Sequence, residues 1–364
     1  MRREGPLEIR TVERASTAER PENPQQLADC LRTLASEQRA IRLGGHFSKE
    51  RLGGVVRSAD VTVSTAAMTR VLQYEPRDLT ISVEAGMPFA ELERVLAERR
   101  QMLPLDPPVD AARPAASTVG GVIATNLSGP RRRLYGTARD MIIGMTFATL
   151  EGKLVSSGGM VVKNVAGLDM AKLMIGSFGT LAAIATVNFK VFPAPVESRT
   201  FAMKFTTAAE AFGERDRILR SVLQPSAIDI VNWPSGFRLL VHAGGNAAVL
   251  DRYARELPRA EVSDESVWQE IREFTPRFLA EHPRGGVVPM VTPLMGMLEV
   301  ASKLDVPFIA RAGSGVTYAH YAENPPEIAV HGDFPGGDFA TMLRVKEMFD
   351  PEHLLNRGRL YGRI

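Results

Sequence analysis

Two short stretches rich in glycine and hydroxyl side chains have the composition of a phosphate-binding backbone. Residues 42–49 (RLGGHFSK) follow a short apolar segment, and consecutive glycines there let the backbone turn its N–H groups into one concavity. Residues 117–126 (STVGGVIATN) begin with hydroxyl residues that can cap a helix, and a phosphate could approach the small residues of its first turn. Taken alone, the first stretch also fits a plain turn, and the second fits a small-residue helix packed on a sheet.

Two further motifs lie close behind these stretches. The third runs from Tyr135-Gly136 through Arg139-Asp140 into an apolar segment, 141–149. The fourth covers residues 161–181 (VVKNVAGLDMAKLMIGSFGTL), in which glycines at 176 and 179 bracket a tight turn between a helix and a long strand. Ordinary turn chemistry explains each motif equally well when it is considered alone.

The remaining reactive residues form no recognisable metal or redox motif. The single cysteine, Cys30, permits no intrachain disulfide, no CxxC metal knuckle and no iron–sulfur cluster held by this chain alone. His320, His331 and His353 lack HxxxH spacing, so surface or capping roles are expected for them. The arginines at 131–133 could bind an anion or a partner, although such a run usually forms a solvated loop.

Hydrophobic periodicity predicts the elements that must position these residues. The predicted helices span 25–37, 88–100, 169–175, 207–221, 247–257, 265–281, 293–304 and 338–349. The predicted strands span 40–43, 61–64, 79–84, 141–149, 181–192, 200–205, 227–232, 237–242, 286–291 and 307–311. Strands and helices alternate early in the chain, and later strands come in pairs with helices between them, which indicates an α+β fold with two layers.

Length, composition and charge limit the function classes. With 364 residues, and roughly 150 residues per domain, two domains are expected, with a boundary near VFPAP (191–195). Hydrophobic residues are 45% and charged residues 24%, which excludes a disordered or fibrous chain. A net charge of +2 gives no electrostatic footprint for nucleic acid. We find neither a secretory signal nor an apolar run long enough to span a membrane, so a cytoplasmic location is expected.

The order and spacing of the four motifs together resemble the FAD-binding domain of the vanillyl-alcohol-oxidase and p-cresol-methylhydroxylase (PCMH) type. The pattern is most similar to that of the D-lactate dehydrogenase and glycolate oxidase flavoproteins, and it matches over 117–181 and again over 349–360 (FDPEHLLNRGRL). The chain departs from the family at Leu168, where Tyr is usual, at residues 182–183, and at Arg357, which replaces a proline.

Within this family, the chain is most similar to the smaller FAD-binding subunit of the glycolate-oxidising complexes. The stretches QMLPLDPP (101–108) and GPRRR (129–133) carry this likeness, together with the chain length. The resemblance implies an α+β fold with a two-lobed PCMH-type FAD-binding domain, 1–195, and an α/β cap domain with an antiparallel sheet, 196–340. It also implies that a C-terminal segment, 341–364, returns to the FAD-binding domain.

The resemblance further implies which residues bind FAD. We expect the backbone of 44–48 and 118–126 to surround the diphosphate, and Asn356 to lie near the flavin edge, where its amide could hydrogen-bond the ring. A C-terminal tail docked only for stability is the alternative. His46 follows a glycine pair as in family members that link FAD covalently, whereas the glycolate branch normally binds FAD non-covalently. The expected cofactor-binding residues are Gly44, Gly45, His46, Phe47, Ser48, Ser117, Thr118, Gly120, Gly121, Ala124, Thr125, Asp140, Gly176, Gly179, Ile184 and Asn356.

The activity implied is that of an FAD-dependent oxidoreductase acting on a small 2-hydroxy acid, with glycolate the first candidate. The flavin would accept a hydride from the substrate's α-carbon. The expected partners are a larger catalytic flavoprotein subunit and an iron–sulfur subunit, through which the chain could reach a membrane. Two alternatives stay open: a stand-alone D-2-hydroxy-acid dehydrogenase or oxidase, and a flavin-carrying assembly subunit without catalysis.

One departure in the cap bears on catalysis. Catalytic members carry H-A-G-D-G-N-x-H, whose histidines help to bind a divalent metal, and the most similar stretch here is RAGSGVTY (311–318). Arg311 and Tyr318 replace the histidines, and Val316 has no donor atom. We therefore expect no metal site and little activity in the isolated chain. Arg311 is the one catalytic candidate, through a bidentate contact with a substrate carboxylate.

Overall fold

The computed structural model describes residues 17–54, 56–110, 112–161, 168–326, 338–362 and 364. Residues 162–167, which hold the VKNVAG part of the fourth motif, lie outside the described residues. So do His331, in the predicted cap, and residues 1–16, in the predicted FAD-binding domain. None of the described helices is both long and apolar enough to cross a membrane.

The first lobe is a three-stranded parallel sheet under one helix. Its elements are β1 (Thr17–Glu19), α1 (Pro24–Ser36), β2 (Ile41–Gly44) and β3 (Val61–Ser64). The strand order is β1-β3-β2. α1 begins after Asn23, whose side-chain oxygen accepts a hydrogen bond from the backbone N–H of Gln26. Its apolar face, which includes Leu27 and Leu31, packs on Ile41 and the rest of the sheet.

The second lobe is a five-stranded antiparallel sheet in the order β4-β5-β9-β7-β8. The elements of this part of the chain are β4 (Val71–Glu75), β5 (Thr80–Glu84), α2 (Phe89–Ala97), β6 (Gln101–Met102), α3 (Val119–Thr125), α4 (Arg132–Tyr135), α5 (Ala138–Met141), β7 (Ile142–Ala148), β8 (Leu154–Gly158), α6 (Ala171–Met174), β9 (Ala183–Lys190) and β10 (Phe192–Pro193). Every residue of β5 is buried, which fits a strand covered on both faces. β6 and β10 form a separate two-stranded ribbon.

The cap is a seven-stranded antiparallel sheet with helices on both faces. Its elements are β11 (Glu197–Phe205), α7 (Ala208–Arg220), β12 (Ala227–Val231), β13 (Phe237–Gly245), α8 (Ala247–Glu256), β14 (Glu261–Ser263), α9 (Ser266–Glu281), β15 (Gly286–Val291), α10 (Met297–Ser302), β16 (Phe308–Arg311) and β17 (Val316–Tyr321). The strand order is β14-β11-β13-β12-β16-β17-β15. α7, α8 and α10 share one core with residues such as Ile230 and Leu239, whereas α9 packs on the opposite face, against Val231 and Leu240.

The C-terminal residues return to the first lobe. They form α11 (Asp338–Phe349) and α12 (Arg359–Gly362). Between these helices, Leu355 makes a parallel bridge to Ile41 of β2, and the backbone N–H of Ile41 donates to the Leu354 carbonyl at 2.8 Å. This segment therefore extends the small parallel sheet and lies beside the loop that follows β2.

The predicted α+β class is confirmed, and every predicted helix and strand is present. The sequence pattern missed mainly short or edge strands, β1, β4, β8 and β14, and the longer β17. No strand was predicted where β17 lies, although VTYAHY (316–321) is rich in β-branched and aromatic residues. The glycines of RAGSGVTY (311–318) form only the hairpin between β16 and β17, where Gly315 has a φ of +75°.

Candidate functional site

A narrow cleft lies where the loop after β2, the start of α3 and β9 converge. Twelve of the predicted cofactor-binding residues line it: Gly44, Gly45, His46, Phe47, Ser48, Thr118, Gly120, Gly121, Ala124, Thr125, Gly179 and Ile184. Sequence reasoning missed other lining residues, among them Lys49, Phe178 and Arg359. The structure thus brings together residues from motifs that are far apart in the chain.

The loop 44–50 presents its backbone to the cleft at close quarters. A Cβ at Gly45 would lie 2.4 Å from the Thr118 Oγ1, so only glycine allows this loop to touch the start of α3. Within the described part of the chain, the backbone N–H groups of His46, Phe47 and Ser48 donate to no protein acceptor. Three such donors on one tight loop suit an anionic group such as a phosphate.

The start of α3 differs from the prediction. We expected unpaired N–H groups there, but the N–H of Val119 donates to the Met87 carbonyl at 2.9 Å and that of Gly120 to the Ala85 carbonyl at 2.7 Å. The N–H of Gly121 donates to Thr118 Oγ1 at 3.2 Å, which is an N-cap bond. These donors are occupied because α3 packs directly on the end of β5. The available N–H groups are therefore those of the loop 46–48.

Lys49 lies at the edge of the cleft and is 8% exposed. Its Nζ donates to the Ser117 Oγ at 2.6 Å and lies 3.5 Å from the Ser48 Oγ. Burial lowers the pKa of Lys49 to about 8, with a further contribution from the positive charge of Arg272. Ser117, predicted as a cofactor ligand, instead holds this lysine and does not line the cleft.

Two arginines fix the loop that carries these donors. The Nη1 of Arg359 donates to the carbonyls of Glu50, Leu52 and Gly54 at 2.7–2.8 Å. The guanidinium of Arg51 donates to four carbonyls at the end of α9 and just beyond it, those of Leu279, His282, Pro283 and Gly285. The loop is therefore anchored to the C-terminal segment on one side and to the cap on the other.

Asn356 has a different role from the one we predicted. Its Oδ1 accepts from the Leu43 N–H at 2.8 Å, and its Nδ2 donates to the carbonyls of Leu43 and Phe178 at 3.0 and 2.8 Å. The buried amide thus joins the C-terminal segment to two walls of the cleft and does not line it. A hydrogen bond from Asn356 to the flavin is not what this geometry favours.

Asp140 and Gly176 also lie away from the cleft lining. The carboxylate of Asp140 accepts from the N–H and the hydroxyl of Thr137 at 2.8 and 3.1 Å, forming a capping box at the start of α5. Gly176, with a φ of +80°, donates its N–H to the Ile123 carbonyl. Both residues shape neighbouring turns.

On the cap, Arg311 is engaged within the protein. Its Nη1 pairs with the Asp229 Oδ2, and both side chains are buried on the face of the sheet that α9 covers. Burial raises the pKa of Asp229 to about 6, although the charge of Arg311 opposes this shift. Among the described residues, the Nε of Arg311 and the Oδ1 of Asp229 have no further partner. A substrate carboxylate would have to compete with Asp229 for this guanidinium.

His320 occupies the same face and corrects a second expectation. We predicted a surface or capping role, but the side chain is fully buried and its Nε2 lies 2.9 Å from the Thr275 Oγ1 of α9. Burial lowers the pKa of His320 to about 4, so the ring is neutral. Across the described ranges, no group of three or more His, Cys, Asp or Glu side chains could hold a metal ion.

Two arginines of the run 131–133 are engaged within the protein, whereas Arg132 is exposed. Arg131 contacts Asp106 through Nε and Nη2 at 2.5–3.0 Å, and the Nη1 of Arg133 donates to the Pro225 carbonyl of the cap at 3.1 Å. Beside them, cavities of about 500 and 530 Å³ separate the first domain from α9. Lys49 lines the second of these cavities as well as the cleft, so it lies where the two spaces meet.

Comparisons with known proteins agree with this geometry. A family described as "FAD binding domain" matches residues 16–158. The chain is 32% identical over 249 residues to the glycolate oxidase subunit GlcE of Escherichia coli, with 68% of each chain covered. It is 26% identical to the glycolate oxidase subunit GlcD of Bacillus subtilis and 26% identical to a D-lactate dehydrogenase of Archaeoglobus fulgidus. These alignments cover 59% and 58% of the chain but only 45% and 46% of the two relatives.

Solved structures of an alkyldihydroxyacetonephosphate synthase show the same fold. Two of them cover 93% of this chain and 75% of their own, with TM-scores of 0.68 and 0.71 at 18% and 19% identity. The identity is too low to carry more than the architecture.

The cleft fits FAD on its own chemistry. The loop 46–48 offers free N–H donors for a diphosphate, and a Cβ at Gly121 would meet only the Thr118 Oγ1, at 3.1 Å, which leaves the rest of its surroundings open. Lys49 adds a buried positive charge, and the wider cavity beyond it reaches the cap. The resemblance inferred from the motifs is thus confirmed, and the chain belongs to the PCMH-type family of FAD-binding oxidoreductases that includes GlcE of Escherichia coli.

Proposed function

We propose that this chain is the FAD-binding subunit of a complex that oxidises glycolate or another small 2-hydroxy acid. The observation that carries the proposal is the state of Arg311, the one candidate for binding a substrate carboxylate, which is buried against Asp229. The alignment with the Escherichia coli protein over two thirds of both chains supports the same conclusion. The partners are a larger catalytic flavoprotein and an iron–sulfur protein.

The chain's own residues bind and orient the cofactor. The N–H groups of 46–48 hold the diphosphate, while Arg51 and Arg359 keep that loop in place between the cap and the C-terminal segment. Bound FAD supplies a two-electron acceptor, and oxidation of a 2-hydroxy acid to the 2-oxo acid delivers those electrons. The catalytic partner supplies the carboxylate-binding groups that this cap lacks in the part the structure describes. The complex lies in the cytoplasm, and any membrane attachment is made through a partner.

Reconstitution tests this proposal. The three proteins are co-expressed and purified, and glycolate-dependent dye reduction is compared for the full complex, for the complex without this chain, and for the chain alone. We expect turnover only from the full complex. Equal turnover by the isolated chain would contradict the proposal. The Gly121→Val variant is also tested in the assembled complex. It shows whether turnover needs the FAD bound to this chain or only the presence of the chain.

The second candidate is a stand-alone D-2-hydroxy-acid dehydrogenase. The unpaired Nε of Arg311 favours this second function, because a guanidinium with a free N–H can donate to a second carboxylate. This function requires rapid flavin reduction by D-lactate in the isolated chain. It also requires that the reduction is lost in Arg311→Lys, which keeps the charge but not the fork geometry.

A further inference from the structure

The described part of the chain contains two buried lysines with opposite surroundings. Lys346 is 1% exposed and Lys49 is 8% exposed. Removing an ammonium group from water costs several kcal/mol unless an opposite charge and hydrogen-bond acceptors compensate. Each of the two lysines therefore needs a compensating negative charge.

Lys346 finds its partners within the protein. Its Nζ pairs with the carboxylate of Asp350 and donates to the carbonyls of Thr180 and Leu355 at 2.8 and 3.3 Å. The Asp350 carboxylate also accepts from the N–H of Leu355. The ammonium of Lys346 thus has an opposite charge and two carbonyl acceptors within the protein, and the cluster joins α11 to the C-terminal segment.

Lys49 has only hydroxyl partners. Its Nζ contacts Ser117 and Ser48, and no carboxylate of the described residues pairs with it. Glu50, the nearest acid in the sequence, is held by Arg42 through contacts of 2.5 and 2.6 Å. The charge that acts on Lys49 is that of Arg272, which repels it. The protein thus buries this ammonium beside the cleft without a countercharge from the residues described.

We propose that Lys49 is a positioning residue for the diphosphate of FAD and that the cofactor supplies its missing countercharge. Lys49 directly follows the three free N–H groups of 46–48, so one loop presents both kinds of diphosphate donor. Ser117 fixes the ammonium at the boundary between the cleft and the cap cavity. This inference rests on FAD binding by the family and on the diphosphate lying at the loop.

The two lysines should respond oppositely to replacement by methionine. Lys49→Met removes a desolvated charge from the apoprotein, so its melting temperature should stay the same or rise. FAD affinity should fall about 10- to 100-fold because a charge-assisted contact is lost. Lys346→Met leaves the Asp350 carboxylate buried without an opposite charge, so it should lower the melting temperature of both apo and FAD-bound protein.

Competition titrations with FAD and riboflavin test the assignment, since riboflavin has the ring but no phosphate. We expect Lys49→Met to weaken FAD while leaving riboflavin within about twofold. Unchanged FAD affinity in Lys49→Met would overturn the proposal. An equal loss of affinity for both ligands would also overturn it, since it would indicate that Lys49 contacts the isoalloxazine ring. Wild-type FAD binding in the same titration reports separately on whether the chain holds the cofactor at all.

A measurement on the wild-type chain keeps the test independent of how the variant folds. Because the pKa of Lys49 is about 8 and a bound diphosphate would raise it, FAD binding should take up a proton. The FAD-to-riboflavin ratio of dissociation constants should therefore rise above pH 8, and this rise should be absent in Lys49→Met. The other charged or titratable groups that line these spaces are His46, Glu50, Arg51, Glu93, Asp106, Asp110, Arg113, Arg131, His242, Glu265, Arg272, Glu273, Arg277 and Arg359. An equal pH slope in the variant would assign the effect to one of them and overturn the proposal.

Discussion

The two domains of this chain differ in what their candidate ligand-binding groups contact. In the FAD-binding domain, the loop 46–48 has backbone donors without acceptors, and Lys49 has no acidic partner within the described residues. In the cap, the residue best suited to bind a carboxylate, Arg311, is paired with Asp229 beneath α9. The loop after β2 thus leaves donors for a ligand, whereas the best carboxylate-binding group of the cap is already used within the protein.

The largest effect is expected from Gly121→Val, which should abolish FAD binding by the first domain. The new Cβ would lie 3.1 Å from the Thr118 Oγ1, and the valine methyl groups would take up space in the cleft that Gly121 lines. We expect purified protein without yellow colour or stoichiometric FAD. Gly213→Val in α7 is the matched control, because a Cβ at Gly213 would point into open space. Retention of FAD by Gly121→Val would show that the cofactor lies elsewhere.

On the cap, Arg311→Ala should lower the free energy of unfolding but leave FAD binding intact. It leaves the Asp229 carboxyl buried without its partner, which costs about 3–5 kcal/mol in the free energy of unfolding. Urea denaturation measures this loss. The double variant Asp229→Leu, Arg311→Met should recover most of it, because neither charge then remains in the core. If the double variant is as unstable as Arg311→Ala, the pair is not the source of the cost.

The pH dependence of stability should come from the same pair. The pKa of Asp229 is about 6 in the folded chain, above the value of about 4 for an unfolded aspartate. The folded state therefore binds this proton more tightly, and protonation of Asp229 stabilises it. This contribution to the free energy of unfolding is complete below pH 4 and is lost as the pH rises through about 6, by up to about 3 kcal/mol. Denaturation at pH 4, 5 and 6 measures it. The double variant should lack this component, and an unchanged pH profile there would assign it to other groups.

Asn356→Ala should weaken the wall of the cleft. It removes three buried hydrogen bonds to the backbone of Leu43 and Phe178, at a cost of about 2–3 kcal/mol. His353→Ala is the matched control, because His353 has a similar positive φ, +51° against +42°, but an exposed side chain. A loss confined to FAD affinity, without a loss of stability, would restore the predicted flavin contact.

The sequence predicted the parts of the site that are local in the chain. Glycine pairs and hydroxyl residues indicate a tight turn in 44–48 and a capped helix start in 117–126, because their conformational preferences act on neighbouring residues. Lys49 and Ser117 are 68 residues apart, Arg311 and Asp229 are 82 apart, and Asn356 and Leu43 are 313 apart. No periodicity links such pairs, so their roles became visible only when the fold brought them together.

The same limit explains the errors on His320 and on the arginine run 131–133. His320 is isolated in the sequence, but on β17 it lies on the same face as Tyr318, which packs on the cluster beneath α9. Arg131 lies in a run of arginines, yet Asp106 comes from a distant loop and pairs with it. Charge runs and lone histidines have no fixed environment in sequence, because burial is decided by the packing of other elements.

The central claim is that the isolated chain holds FAD but does not oxidise a hydroxy acid. The direct test is anaerobic mixing of the purified FAD-loaded chain with glycolate or D-lactate, with and without added Mn²⁺ or Zn²⁺, while flavin absorbance is followed. We predict that the flavin stays oxidised under all these conditions and is reduced by a chemical reductant added afterwards. Rapid metal-dependent bleaching by either acid would contradict the claim, since it would require a complete substrate site within this chain.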